Sequence, residues 1–225
     1  MPFKSIDELN EAFYEDRGQR KFHLPKAKQI YDSIVSYIGF TPRNVLALSK
    51  SWISEHLTEL GNDVVFPDKI SAGSGFDLVI AVDEILTRER SEADQKKIIG
   101  QIMQLTNPGG YLVASLRDYR NTNCHRRPLG DSTYNRLGGD DIVTTEVNGL
   151  DPKDKQEWHQ KIHVVMNDQD FVCLNVGTRR TLYFKQMAKY CADAGASDFV
   201  VSKDLHWRNH LRRIPEHVAF ARKQS

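Results

Sequence analysis

Residues 75–121, GFDLVIAVDEILTRERSEADQKKIIGQIMQLTNPGGYLVASLRDYRN, decide the fold. Phe76 to Val82 is a run with almost no polar side chain and is too short for a helix, which predicts a strand buried on both faces. From Ser91 to Leu105 the apolar residues recur at helical spacing behind a capping serine. Asn107-Pro108-Gly109-Gly110 ends this helix, and Tyr111 to Leu116 is a second buried strand. This order predicts two parallel strands joined by a helical crossover.

The stretch resembles class I S-adenosylmethionine-dependent methyltransferases. In that family an acidic or polar residue often ends the fourth strand, as Asp83 and Glu84 do here, and a Pro-Gly-Gly-like turn precedes the fifth. The resemblance covers residues 45–223 and implies an α/β, Rossmann-like fold with a mostly parallel sheet. Residues 199–202 and 217–221 would form its antiparallel closing hairpin. An unrelated doubly wound domain is the alternative, because such folds host many functions.

Length and charge favour one ordinary globular domain. The chain has 225 residues, of which 31 are basic and 30 acidic, so its formal charge of +1 does not indicate a general nucleic-acid or membrane binder. Three widely spaced cysteines predict neither a disulfide framework nor a zinc site, and they favour a reducing compartment. The amino terminus has no apolar core of a signal peptide. We therefore predict a cytoplasmic protein that does not associate with membranes.

The predicted organisation is a single methyltransferase-like domain over residues 1–225. Its parts are an N-terminal helical cap (1–40), a Rossmann-like core (41–121), a loop and β-hairpin insertion (122–178), and the last helix with the closing hairpin (179–225). In the cap we predict a helix opened by Ser5, a break around Gly18 and a second helix from Pro25 to Ile38.

We have two further expectations, one for the connection before Phe76 and one for the insertion. Only PDKISAGSG separates the second strand, at 63–66, from Phe76, so the sheet is expected to be shortened between the family's strands 2 and 4. Residues 131–154 are polar and predicted to be irregular. A hairpin follows, with strands at 158–166 and 170–176.

The resemblance also implies S-adenosylmethionine as the cofactor. Leu48 and Ser49 occupy the turn after the first strand, Asp68 lies where an acid bonds the ribose, and Asp83 and Glu84 would line the methyl-transfer side. The turn itself, LALSKSWIS, departs from the family pattern, with Ala47 at the usual acidic site and no glycine. Glycines there normally let the backbone approach the cofactor closely.

Residues for an acceptor follow the fifth strand and precede the last one. Arg117, Tyr119 and Arg120 would face the acceptor, with Tyr119 as a catalytic candidate, and His125 or His210 would take a proton. Arg208 adds a further binding side chain, since the basic and aromatic residues of 203–215 suit a nucleotide or RNA backbone. Arginines at the carboxyl edge of a sheet could hold a phosphate or carboxylate group. They could equally be solvated and paired with nearby aspartates.

Three functions are compatible with these residues. The first is methyl transfer from S-adenosylmethionine to a small-molecule or nucleotide-type acceptor. The second is a non-catalytic methyltransferase fold that has lost its cofactor and acts as a binding or scaffolding subunit for a protein partner. The third retains catalysis with a phosphate-bearing ligand held by Lys50 and the arginines.

Overall fold

The computed structural model describes residues 5–66, 75–82, 85–87, 91–117, 129–137, 139–150, 157–166, 171–206 and 216–225. Its contacts divide the chain into two compact units. Residues 24–120 and 182–225 form what we call the Rossmann-like unit, and residues 1–23 and 121–181 form the antiparallel unit. The domain organisation expected from the sequence stays a prediction.

The described elements comprise five α-helices, one 3-10 turn and ten strands. The helices are α1 (Ile6–Glu15), α2 (Arg17–Ile38), α3 (Trp52–Glu59), α4 (Glu92–Leu105) and α5 (Phe184–Asp193), and the 3-10 turn is Ile85–Thr87. The strands are β1 (Asn44–Ala47), β2 (Asp63–Val65), β3 (Phe76–Ala81), β4 (Thr106–Arg117), β5 (Leu129–Leu137), β6 (Asp140–Leu150), β7 (Glu157–Met166), β8 (Phe171–Arg180), β9 (Ala196–His206) and β10 (Glu216–Lys223). None of the described helices is long and apolar enough to cross a membrane.

The Rossmann-like unit is built on a six-stranded sheet with the order β2-β1-β3-β4-β10-β9. The first four strands are parallel, whereas β10 runs antiparallel to both β4 and β9. The mostly parallel sheet and its antiparallel closing hairpin are therefore confirmed. No strand in the described parts of the chain lies on the other side of β2, which agrees with the expected shortening.

Alternate residues of β3 enter two separate hydrophobic clusters, one on each face of the sheet. Val79 and Ala81 pack in a cluster with α4 and α5, and Leu78 and Ile80 pack in a cluster with α3 and with residues 27–38 of α2. The four side chains are at most 1% exposed. The prediction of a strand buried on both faces is confirmed, and the later part of α2 packs on the sheet.

Residues 107–110, an irregular segment near the start of β4, lie against the start of β3. Gly109 has a φ of 77°, which is in the left-handed region. A Cβ on Gly110 would come within 2.9 to 3.1 Å of the carbonyl oxygens of Phe76, Asp77 and Asn107. A Cβ on Gly75 would overlap Asn107 Oδ1. The glycines therefore allow the irregular first part of β4 to lie in contact with the β3 backbone.

Asp77 holds the amino ends of three strands together. Its Oδ2 accepts hydrogen bonds from the backbone amides of Arg43 (3.0 Å) and Asn44 (3.3 Å), and its Oδ1 accepts one from Asn107 Nδ2 (2.9 Å). Partial burial alone would raise the pKa of Asp77. The three hydrogen bonds and the Arg43 charge outweigh it and lower the pKa below its ordinary value.

The helix at the N-terminus begins as predicted, but its continuation differs. Ser5 caps α1 and accepts a hydrogen bond from the Glu8 amide at 3.1 Å. The predicted break around Gly18 lies at Asp16, the cap that follows α1, and Asp16 Oδ1 accepts a hydrogen bond from the Gln19 amide in the first turn of α2. The predicted start at Pro25 is wrong, because this proline lies inside α2.

The antiparallel unit contains a four-stranded sheet with the order β5-β6-β7-β8. The β7–β8 hairpin confirms the predicted one, although β8 continues to Arg180. Irregular structure over 131–154 was a wrong prediction for the described residues 131–137 and 139–150, which form β5 and β6. The sheet buries one apolar face against α1 through Leu9, Ile142 and Val165. Burial in that cluster stabilises β5 and β6 as strands although their sequences are rich in polar residues.

Replacing Gly110 with alanine should destabilise the protein by about 1–3 kcal/mol, because the added methyl group meets three fixed backbone oxygens. Gly100→Ala is the matched control. Gly100 lies inside α4 with open space at its Cβ position, so this change should stabilise the protein by about 0.5–1 kcal/mol. Urea unfolding of both variants measures the two effects. Equal effects of the same sign would contradict the proposed contact.

Asp77→Asn should lower the free energy of unfolding at pH 7 by about 1–2 kcal/mol, since an amide cannot accept all three hydrogen bonds. The folded pKa of Asp77 is depressed, so its contribution is complete above the unfolded pKa of about 4 and is lost as pH falls through the folded value. Urea titrations of both proteins between pH 7 and pH 3 should therefore show their difference narrowing below about pH 4. A difference independent of pH would indicate that the charge does not matter.

Candidate functional site

Three of the predicted site residues lie at the carboxyl edge of the Rossmann-like sheet: Leu48, Ser49 and Arg117. The backbone ladder continues one residue past β1, where the Leu48 amide donates to the Ile80 carbonyl at 2.9 Å. Ser49 follows directly, and Val82 follows β3 at the same edge. Arg117 is the last residue of β4, and nothing is described of its side chain. Open α/β sheets bind ligands beyond this edge.

Ser49 has a hydroxyl with an unused hydrogen-bonding capacity. Its Oγ is buried and has no partner among the described residues. A buried hydroxyl without a partner costs free energy. Leu48 beside it packs partly buried against the cluster of α4 and α5. The two predicted cofactor residues are therefore placed together at the expected edge.

The side chains of the three residues after Ser49 each have contacts elsewhere in the protein. Lys50 Nζ lies 3.8 Å from Glu55 Oε1, and the two side chains are 45% and 26% exposed. Ser51 caps α3: its Oγ accepts from the Ser54 amide at 3.2 Å, and its own amide donates to Ser54 Oγ at 2.8 Å. Trp52 packs against the cluster of α2 and α3. The bulky indole is thus placed in core packing.

No role was predicted for Glu55, which lies in the first turn of α3 and five residues after Lys50. Helices are often opened by acids, which favour the positive end of the helix dipole, so this position looks ordinary in sequence. Only the fold brings its carboxylate near the Lys50 ammonium group.

The other predicted site residues are outside the described parts of the chain. They are Asp68, Asp83, Glu84, Tyr119, Arg120, His125, Arg208 and His210. Their predicted roles stay predictions. Among the residues that are described, no group of three or more His, Cys, Asp or Glu side chains could hold a metal ion.

A cleft of about 590 Å³ lies along β2, at the other end of the strands from Ser49. It reaches the start of β1 at Asn44 and the residues Gly75 and Phe76 at the start of β3. Its polar lining comes from neutral side chains such as Thr58 and Asn62. Because it lies near the amino ends of β1 and β3, we do not assign it to the cofactor.

Solved structures with the same architecture cover nearly the whole chain. The sugar N-methyltransferase KedS8 from Streptoalloteichus sp. matches with a TM-score of 0.65 and 12% identity over 96% of this chain and 93% of its own. The protein has the fold of the class I S-adenosylmethionine-dependent methyltransferases. The CcbJ methyltransferase from Streptomyces caelestis matches this methyltransferase fold with a TM-score of 0.63 and 16% identity, over 89% of this chain and 95% of its own.

A third neighbour has the cofactor bound. CalS10, an amino pentose methyltransferase from Micromonospora echinaspora whose structure contains S-adenosylmethionine, has a TM-score of 0.62 and 15% identity over 96% of this chain and 97% of its own. No model of a known protein family matches the sequence, and neither does any curated protein sequence. At these identities the likeness shows the fold alone.

Proposed function

We propose that the protein binds S-adenosylmethionine at the carboxyl edge of β1 and transfers its methyl group to a small-molecule acceptor. The buried, unpartnered Oγ of Ser49 carries this proposal, because it lies where the methyltransferase fold approaches its cofactor. Leu48 would supply an apolar contact and Ser49 a hydrogen bond. The bound cofactor would supply an electrophilic methyl group for direct displacement.

The glycine-free turn does not exclude this site. Of the side chains that replace the usual glycines, Trp52 packs in the core and Lys50 is nearly half exposed beside Glu55. The space at the edge of the sheet is therefore less restricted than the sequence suggests. Holding the reactants in position and removing water are contributions that such an edge can make to methyl transfer.

An amine on a small sugar-like molecule is the first acceptor class to test. KedS8 is a sugar N-methyltransferase and CalS10 is an amino pentose methyltransferase, and both match the chain over 96% of its length. For such an acceptor, a residue able to take a proton from the amine would be needed. His125 and His210 stay the candidates for that role. Tyr119 stays a further catalytic candidate, and Arg117 and Arg120 stay the candidates for binding the acceptor.

Calorimetric titration with S-adenosylmethionine and S-adenosylhomocysteine tests cofactor binding first. We expect micromolar dissociation constants, equivalent to about −8 kcal/mol. Methyl transfer to a panel of amino sugars, followed by mass spectrometry, then tests the acceptor class. Folded protein that releases no heat with millimolar ligand would overturn the proposal. That result would favour the alternative, a non-catalytic binding subunit, to which the absence of glycine from 49–53 also points.

Ser49→Ala should weaken S-adenosylhomocysteine binding about threefold to tenfold, the equivalent of one hydrogen bond. The same change should leave the ligand-free protein equally stable or slightly more stable, because it removes a buried hydroxyl without a partner. Calorimetry and urea unfolding measure these two effects separately.

Ser51→Ala is the matched control for that experiment. Its Oγ is engaged in capping α3, so the substitution should cost about 1 kcal/mol of stability. If Ser49→Ala were the more destabilising of the two and left affinity unchanged, Ser49 would have a structural role and not a ligand-binding one.

A further inference from the structure

The four-stranded sheet of the antiparallel unit has a second face, opposite the face that packs on α1. Ile142 and Val165 belong to the cluster under α1. Side chains alternate between the two faces of a sheet, so their neighbours Val143 and Val164 lie on the second face, directly opposite each other. Ile162, two residues before Val164, lies there too. The middle strands β6 and β7 therefore present β-branched apolar side chains on the second face.

The edge strands present larger side chains on the same face. Tyr134 on β5 pairs with Val143 and is 63% exposed. Phe171 on β8 pairs with Met166 and is 65% exposed. Arg136, two residues after Tyr134, is also exposed. The second face thus has small apolar side chains in the middle and a large aromatic side chain on each edge strand.

The second face is more apolar than the free face of an ordinary sheet. An antiparallel sheet that faces water usually has polar side chains on its free face. None of the second-face side chains named above is buried, and none belongs to a hydrophobic cluster of the described residues. Contiguous exposed apolar side chains of this kind are typical of an interaction surface.

The size and charge of the second face fit another copy of this chain. Four strands about 4.8 Å apart and about nine residues long give roughly 600 Å² of flat sheet. Stable interfaces bury about 800 Å² of accessible surface on each partner, and accessible surface exceeds flat area. Arg136 Nε and Asp141 Oδ1 are 3.9 Å apart, so this end of the face has one charge of each sign and does not repel its own copy.

A two-fold arrangement makes the second face complementary to itself. Sheets that pack face to face keep their strands within about 30° of each other. A two-fold axis along the strands, between β6 and β7, places β6 on β7 of the second copy and β5 on β8. Arg136 and Phe171 lie in one row across the sheet, so each Phe171 ring then faces Arg136 of the second copy. This contact has the chemistry of a cation–π interaction.

We propose that the second face of the antiparallel sheet is the interface of a two-fold dimer of this chain, with Phe171 of each copy against Arg136 of the other. The β-branched side chains of β6 and β7 pack at its centre. This inference is independent of the proposed cofactor site.

Sedimentation equilibrium of the full chain from about 1 to about 100 µM measures the dimer dissociation constant, which we expect in the micromolar range or below. Phe171→Arg should raise this constant at least about tenfold, because it places like charges opposite each other across the interface. Leu60→Arg is the matched control. Leu60 is 55% exposed on the Rossmann-like unit, so this change adds the same charge elsewhere and should leave the constant unchanged.

A double variant tests the two-fold contact itself. Adding Arg136→Glu to Phe171→Arg should bring the constant back to within about threefold of the wild-type value, because opposite charges then face each other across the interface. Three strand spacings, about 14 Å, separate β5 from β8 in one chain, so this recovery cannot arise within a single copy. Circular dichroism verifies that each variant is folded.

The other outcomes would overturn the proposal. Wild-type protein that stays monomeric at about 100 µM would do so, and co-sedimentation of that monomer with phosphatidylcholine vesicles would assign the second face to a lipid surface. A dimer that Leu60→Arg weakens as much as Phe171→Arg would use a different surface. A double variant that stays as weak as Phe171→Arg would contradict the contact between Phe171 and Arg136.

Discussion

The close approach of residues 109–110, in the irregular first part of β4, to the backbone of β3 is the constraint on which the Rossmann-like unit depends. Gly110 has no room for a Cβ, and Gly109 adopts a left-handed conformation that few other residues tolerate. This approach lets β3 and β4 pair in parallel, with Val79 opposite Leu112 and Ala81 opposite Ala114. Asp77 adds hydrogen bonds to the residues that start β1.

Parallel pairing of β1, β3 and β4 in turn determines where chemistry can occur. Their carboxyl ends meet at one edge, and there Leu48 and Ser49 leave the sheet. The bulky side chain of Trp52, which begins α3, packs partly buried against the α2–α3 cluster. The Ser49 hydroxyl is buried at this edge and has no hydrogen-bond partner among the described residues.

The sequence predicted the elements whose signals are local and strong. Residues 76–82 and 111–116 could be recognised as buried strands because they contain almost no polar side chain. Ser5 and Ser91 predicted the starts of two helices because their hydroxyls can cap a helix. The hairpin of β9 and β10 was predicted from the resemblance to the methyltransferase family.

Other features depended on contacts distant in sequence. The strands β5 and β6 are polar, and only their pairing with β7 and the cover from α1 make them a sheet. At the site, the sequence placed Leu48 and Ser49 correctly at the end of β1. It could not show that Trp52 turns toward the core or that Glu55 lies near Lys50, since both follow from the packing of α3.

The most direct test of the central claim is a crystal structure of the protein with S-adenosylhomocysteine. We predict that the ligand lies beyond the carboxyl ends of β1 and β3, with a polar atom in hydrogen-bonding distance of Ser49 Oγ. Ligand bound in the cleft beside β2, or a Ser49 hydroxyl that takes a protein partner while the ligand lies elsewhere, would contradict the claim.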